Sequence, residues 1–263
     1  MPAPQNVSVF VTCLVDFLFP KVGEATVRIL RHFGLDVDFP AAQTCCGQPA
    51  FNAGFRADTR AIARHFLAVF ESSEAVVCPS GSCTAMVREH YAPLFDDDPE
   101  LARRFRALGE RTWELSQFLT DVLGVESVPG TLDARLTWHD CCHSLRSLGV
   151  RDGPRRLLAS LPGVELRELD DAEVCCGFGG LFSVKLADIS AAMLEDKVDR
   201  VEKTRAERVV ASDSSCLMHI GGGLARRGSS VRPAHFAEVL AEALERGGGA
   251  VAAGRRRRRE ERA

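Results

Sequence analysis

Nowhere in this chain of 263 residues do apolar side chains run on for the roughly 18 positions a membrane-crossing helix needs. The most apolar stretch near the N-terminus, Val7 to Phe19, is broken by Asp16. The opening Met-Pro-Ala-Pro-Gln-Asn has no basic residue, so no secretion signal is expected and the cytoplasm is the expected compartment. Excess charge of one sign is also missing, with 33 Lys and Arg against 36 Asp and Glu. The last nine residues hold six Arg and two Glu, so the rest of the chain carries about −7. A mildly acidic body argues against nucleic acid as a partner. Disordered, collagen-like and coiled-coil classes do not fit a chain that is 46% apolar and 26% charged. Its length allows one large or two small domains, with a core that needs no disulfide staples.

Several nucleotide and zinc signatures are absent as well. There is no P-loop. Gly177-Phe-Gly-Gly and Gly221-Gly-Gly do not fit the G-x-G-x-x-G of a dinucleotide site after a strand, which argues against bound NAD or flavin. There is no C-x2-C knuckle of the kind that often chelates zinc.

What the chain does have is ten cysteines. Without a secretion signal these are expected to be reduced thiols, and clusters of such thiols usually bind metal or do catalysis. Eight of them form a repeat. Cys13, Cys45-Cys46 and Cys83 read C-x31-CC-x36-C, and Cys142, Cys175-Cys176 and Cys216 read C-x32-CC-x39-C. Glycine follows each pair, at Gly47 and Gly177. Serine-rich stretches precede Cys83 and Cys216, and Trp113-Glu-Leu-Ser-Gln-Phe-Leu resembles the segment from Arg232 to Leu240. We read an internal duplication of about 120 residues. It gives a first cysteine-rich domain over 1–128 and a second over 129–247, joined at the turn Val128-Pro129-Gly130, then a disordered basic tail over 248–263. The pentaarginine Arg255 to Arg259 reads as solvated tail, or as a contact for an acidic partner or membrane surface.

The patterning predicts alternating strands and helices. Val7–Val11, Leu35–Phe39 and Ala75–Val77 are strand-like. Helical stripes run through Val22, Ala25, Ile29 and Phe33, stopped by Gly34, and through Phe55, Ile62, Phe66 and Val69. A polar helix is expected around Pro99 to Leu108. In the second half, strands are expected at Arg135–Trp138, Val164–Leu169 and Arg208–Ala211, with a helical stripe through Ala187, Ala191, Leu194, Val198 and Val201. The expected fold class is α/β: two tandem Rossmann-like three-layer domains with mostly parallel sheets. Each repeated cysteine follows a strand, and parallel sheets bind ligands beyond their strands' carboxyl ends. Four thiols per half can therefore converge on one sheet edge.

Thiolates bind soft metals and iron–sulfur clusters. Adjacent cysteines chelate one zinc awkwardly but suit a cluster with several irons, and the following glycine lets the backbone come close. An iron–sulfur site is the leading reading. A cluster-free dithiol, zinc, or structural cysteine are the others. Cys78 and Cys141 have no counterparts in the opposite half, and each is an extra ligand or an ordinary thiol. His139, Asp140 and His143 flank Cys142, and His219 follows Cys216. The histidines could donate to sulfur or carry protons, or simply pack. His143 and Arg146 are the catalytic candidates, Arg146 as a fork for a carboxylate or as a solvent-facing residue. Asp213 and Ser214 are expected to cap a helix starting at Cys216.

At these residues the chain resembles the lactate utilization protein A family, built from two cysteine-rich CCG domains. The resemblance covers nearly everything up to about Gly247. It is carried by Phe10-Val-Thr-Cys-Leu-Val-Asp, Gln43-Thr-Cys-Cys-Gly-Gln-Pro-Ala, Pro79-Ser-Gly-Ser-Cys, His139-Asp-Cys-Cys-His-Ser-Leu-Arg, Cys175-Cys-Gly-Phe-Gly-Gly-Leu-Phe-Ser and Ser215-Cys-Leu-Met-His-Ile. The same domain recurs in the cysteine-rich subunit of heterodisulfide reductase and in iron–sulfur subunits of glycolate oxidase and anaerobic glycerol-3-phosphate dehydrogenase. The resemblance implies an iron–sulfur electron-transfer subunit for L-lactate oxidation to pyruvate. It would carry one or two [4Fe–4S] clusters and work with sister subunits, one of them ferredoxin-like. A thiol–disulfide reductase subunit of the heterodisulfide type is the alternative. In the heterodisulfide reductase subunit a C-x2-C supplies the last two cluster ligands. This chain departs there, with C-x4-C at Cys78 and Cys83 and with Cys216 alone.

Overall fold

A computed structural model describes residues 3–247 of the chain. The basic tail expected over 248–263 lies outside the described residues. Eight strands form two four-stranded sheets, and every strand pair is parallel. The first sheet contains β1 (Asn6–Val9), β2 (Asp36–Asp38), β3 (Val76–Cys78) and β4 (Thr112–Glu114), in the order β2-β1-β3-β4. The second contains β5 (Ala134–Trp138), β6 (Val164–Arg167), β7 (Arg208–Ala211) and β8 (Arg232–His235), in the order β6-β5-β7-β8. The two orders are the same, as duplication requires. This is the α/β tandem architecture read from the sequence.

Each strand hands the chain to a helix. After β1 the short helix Cys13–Leu18 leads into Pro20–His32, which buries Val22, Ala25, Ile29 and Leu30. Gly34, at φ +82°, ends it with the left-handed turn that glycine adopts without strain. The polar helix appears at Pro99–Glu110, with Asp98 accepting from the Leu101 amide as its N-cap.

Two stripes differ from expectation. The long helix between β2 and β3 is Arg56–Phe70; Phe55 precedes it and is exposed, and the buried face is Thr59, Ala63, Phe66, Leu67 and Phe70. On Ala187–Lys203 the exposed Ala187 and Ala191 drop out of the stripe, which runs through Ser190, Leu194, Lys197, Val198 and Val201. The sequence reading also left out the fourth strand of each sheet. Both are short, and β8 contains Pro233, which suits an edge strand.

The strands alternate their side chains between two cores. In the first sheet Val76 and Cys78 pack outward with Phe66, Phe70 and Phe105, while Val7, Val9 and Val77 face inward. The inward faces of both sheets share one apolar cluster. It runs from Val7 and Val77 through Ile29, Phe118 and Leu240 to Leu136, Trp138 and Val210. Helices Pro20–His32 and Phe236–Arg246 meet inside it. The two halves are therefore fused through a common central layer, with one outer core on each side.

Candidate metal centre

Because the strands within each sheet are parallel, their carboxyl ends lie along one edge. Cys13 opens the helix after β1, Cys45 and Cys46 lie in the loop after β2, and Cys83 sits in the helix Gly81–Ala85 after β3. Cys142, Cys175-Cys176 and Cys216 take the matching places after β5, β6 and β7. The two edges face each other across a cavity of about 280 Å³ lined by nine of the ten cysteines. All eight repeated cysteines line it, and so does Cys141.

Within the first half, the Cys13 and Cys45 sulfurs are 3.4 Å apart and those of Cys46 and Cys83 are 3.3 Å apart. In the second half the thiols are neighbours in turn from Cys142 through Cys175 and Cys176 to Cys216 and on to Cys141. The first cysteine of each CC pair receives the most donors. Cys45 accepts from the Cys13 thiol and from backbone N–H groups, the Gly47 amide at 3.4 Å among them, and is pushed down to about 3. Cys175 accepts from Cys142, Cys176 and the Gly177 amide, and is pushed down to about 2. Donating to Cys45 and burial push Cys13 up. Cys176 rises to about 12, chiefly through its bond to Cys175. In each half the first cysteine of the CC pair is thus the thiol most easily ionised.

The glycine after each pair is required by the backbone. Gly177 sits at φ +89°, and a Cβ there would lie 2.7 Å from the Ser190 carbonyl oxygen. Gly47 sits at φ +78° over Ile62. Other groups clamp the loops. The Tyr91 hydroxyl donates to the Cys46 carbonyl at 2.8 Å. The Gln43 amide bridges to β1, accepting from Val11 N and donating to Val9 O. Tyr91 was not legible as a site residue, because it enters from a helical segment 45 residues away.

Cys78 is not part of the cavity wall. It ends β3 inside the outer core, and burial pushes its thiol well up. His143 does line the cavity, with Nε2 3.5 Å from the Gln48 amide nitrogen. Arg146 is exposed, reaches the Glu173 carbonyl at 3.5 Å, and is not a lining residue. His219 contacts the Ser190 hydroxyl at 3.3 Å. Asp140 is buried and structural: Arg155 grips both its oxygens at 2.8 Å, and the Trp138 indole N–H donates to it at 2.8 Å. The helix expected to begin at Cys216 begins at Ser214. Asp213 is its N-cap, and the buried Ser214 hydroxyl has no hydrogen-bond partner.

Two second-half groups carry a signal the cysteine spacing does not. His139 is buried, its ring nitrogens meet no partner at ordinary hydrogen-bond geometry, and one lies within 4.8 Å of the Cys176 and Cys216 sulfurs. Lys197 is buried too, its ammonium donating to the Asp171 and Ala172 carbonyls at 2.9 and 3.4 Å. Its charge is felt by Cys176, Cys142 and Cys175.

Two segments of the chain, 7–88 and 136–221, match the model of the cysteine-rich domain named CCG. Lactate utilization protein A of Bacillus subtilis (strain 168) is 49% identical over 236 residues, which is 90% of this chain and 99% of that protein. The chain belongs to the lactate utilization protein A family. The namesakes from Bacillus velezensis and Geobacillus kaustophilus are 50% and 47% identical, covering 90% of this chain and 99% and 98% of theirs. Among solved structures, an aspartate racemase homologue from Pyrococcus horikoshii OT3 aligns over 93% of this chain and 99% of its own. Its TM-score is 0.31 at 11% identity, too distant to carry an argument. For this family member, then, two cysteine-rich domain copies face one another across one thiol-lined cavity. Among the described residues no helix is long and apolar enough to cross a membrane.

Proposed function

We propose that this chain is the iron–sulfur electron-transfer subunit of a system that oxidises L-lactate to pyruvate. The observation that carries the reading is the gathering of nine thiols, in two sets, around one cavity. The name of the family points to the pathway. Cys13, Cys45, Cys46 and Cys83 would hold one [4Fe–4S] centre, and Cys142, Cys175, Cys176 and Cys216 a second. Cys141 stands beside the second set. Such centres accept and release single electrons, at potentials set by their ligands and surroundings.

The chain's own residues do the rest. Gly47 and Gly177 let the backbone amides turn toward the thiolates of Cys45 and Cys175. The Asp140–Arg155 pair fixes the loop that presents Cys142. His143, in the cavity wall, is placed to hold or pass a proton at Nε2. Lactate oxidation releases two electrons and two protons. No flavin or nicotinamide fingerprint is present, so the substrate chemistry would belong to sister subunits, one of them ferredoxin-like, in the cytoplasm.

The test is anaerobic purification followed by iron and acid-labile sulfide analysis, with electron paramagnetic resonance of the oxidised and reduced protein. Roughly eight irons and eight sulfides per chain are expected for two four-iron centres. Zinc or free thiols in place of iron and sulfide would overturn the reading.

A further inference from the structure

The two halves are matched at the cysteines and unmatched just behind them. Phe10 follows β1 and lies three positions before Cys13; His139 follows β5 and lies three positions before Cys142. Their backbones are equivalent. The Phe10 amide donates to the Val77 carbonyl at 2.9 Å, and the His139 amide donates to the Val210 carbonyl at 2.9 Å. Phe10 packs edge-on against Phe66 and Phe70, an ordinary core role. His139 occupies the same position with two ring nitrogens that meet no partner at ordinary hydrogen-bond geometry, with the Ala172 carbonyl near the ring. A buried polar group left without a full set of partners destabilises the fold. A side chain that only filled space there would do better as phenylalanine, as the first half demonstrates.

The ring is not stranded at random. One of its nitrogens, Cys176 Sγ and Cys216 Sγ lie mutually within 4.8 Å, a grouping of donors able to close on one metal ion. Neutral imidazole is the form that ligates.

We propose that His139 supplies a nitrogen ligand to the centre held by the second half, so that the two halves carry chemically different centres. The first is ringed by thiolates alone; the second is mixed thiolate and imidazole. This rests on the iron–sulfur reading above. The imidazole adds a neutral donor to the four thiolates without adding negative charge, and the buried Lys197 ammonium beside them raises that centre's reduction potential. The second half is therefore the electron acceptor of the pair, and electrons pass from the first half to the second.

The test is pulsed electron paramagnetic resonance on the full chain, reduced anaerobically and labelled with 15N-histidine. Wild type should show one strongly coupled histidine nitrogen on one of two iron–sulfur signals. His139→Phe should abolish that coupling and move that signal's midpoint potential, leaving the other signal intact as an internal check of folding. His139→Asn, smaller and polar, should also abolish it. Only weak coupling, of the size a hydrogen bond gives, would overturn the ligand assignment. So would coupling that survives both variants, since it would then belong to His143 or His219. A chain with no iron or sulfide fails the parent reading as well, and stoichiometry measured on the same samples tells the two failures apart.

Discussion

Asp213 and Ser80, 133 residues apart, meet through a hydrogen bond of 3.1 Å from the serine hydroxyl to the buried carboxylate. The same oxygen accepts from the Ser82 amide at 3.0 Å, and the other caps the helix of Cys216 through the Ser215 amide. One carboxylate thus ties the Cys83 turn to the Cys216 turn and sets how the two thiol sets face each other.

Replacing Asp213 with alanine should destabilise the chain by about 3 kcal/mol, since several donors lose a charged acceptor at once. Burial pushes this carboxyl up, but the hydrogen bonds from Ser215 and Ser82 outweigh it and hold the group below the usual carboxylate range. A depressed folded-state value means stabilisation that is present above the unfolded value of about 3.9 and lost as pH falls through the folded one. Denaturant melts between pH 7 and pH 3 should show the wild-type advantage over Asp213→Asn shrinking at the acid end. An advantage independent of pH would refute the assignment.

Gly81 is a point of close approach between the halves. A Cβ there would collide with Ser144 Oγ and come within 2.8 Å of Ser144 Cβ. Gly81→Ala should cost about 1–3 kcal/mol by overpacking. Ser144→Gly in the same chain should recover part of the loss. Thermal melts of the single and double variants measure the coupling, and strict additivity would argue against direct contact.

Cavity-lining cysteines should separate from Cys78 by iron content. Cys45→Ser and Cys176→Ser should each lose about half of the iron, from their own half only. Cys78→Ala, behind the cavity wall, should keep all of it at a cost of about 1 kcal/mol for a small cavity. Iron and sulfide per chain check all three. Full retention in both serine variants would remove those cysteines from the ligand set.

Arg155→Met should be among the more damaging surface-reaching changes, at about 3–5 kcal/mol, because it leaves the buried Asp140 carboxylate without its cation. Asp140→Asn in that background should return much of the loss. Urea midpoints of the variants supply the comparison.

Much of this molecule is written locally. The repeat of Cys13, Cys45-Cys46 and Cys83 in Cys142, Cys175-Cys176 and Cys216 gave the duplication, and six of the eight strands carry enough β-branched or alternating apolar residues to be read. β4 and β8 escaped because neither lies in an extended alternating apolar run like those around β2 and β6, and β8 holds a proline as well. Ala187 and Ala191 misled because alanine satisfies a helical period without being large enough to require burial.

The sequence by itself determined which thiols belong together, because strand–helix alternation forces each repeated cysteine to a strand's carboxyl end. It could not determine that the two sets share one cavity. That depends on the inward faces of the two sheets merging into one core through Ile29 and Leu240, a long-range apolar contact with no local signature. Nor could it separate Cys141, beside Cys216, from Cys78, sunk among phenylalanines, or His139 from an ordinary core residue. Those distinctions depend on which face of a strand end points at the thiols, and only tertiary packing decides that.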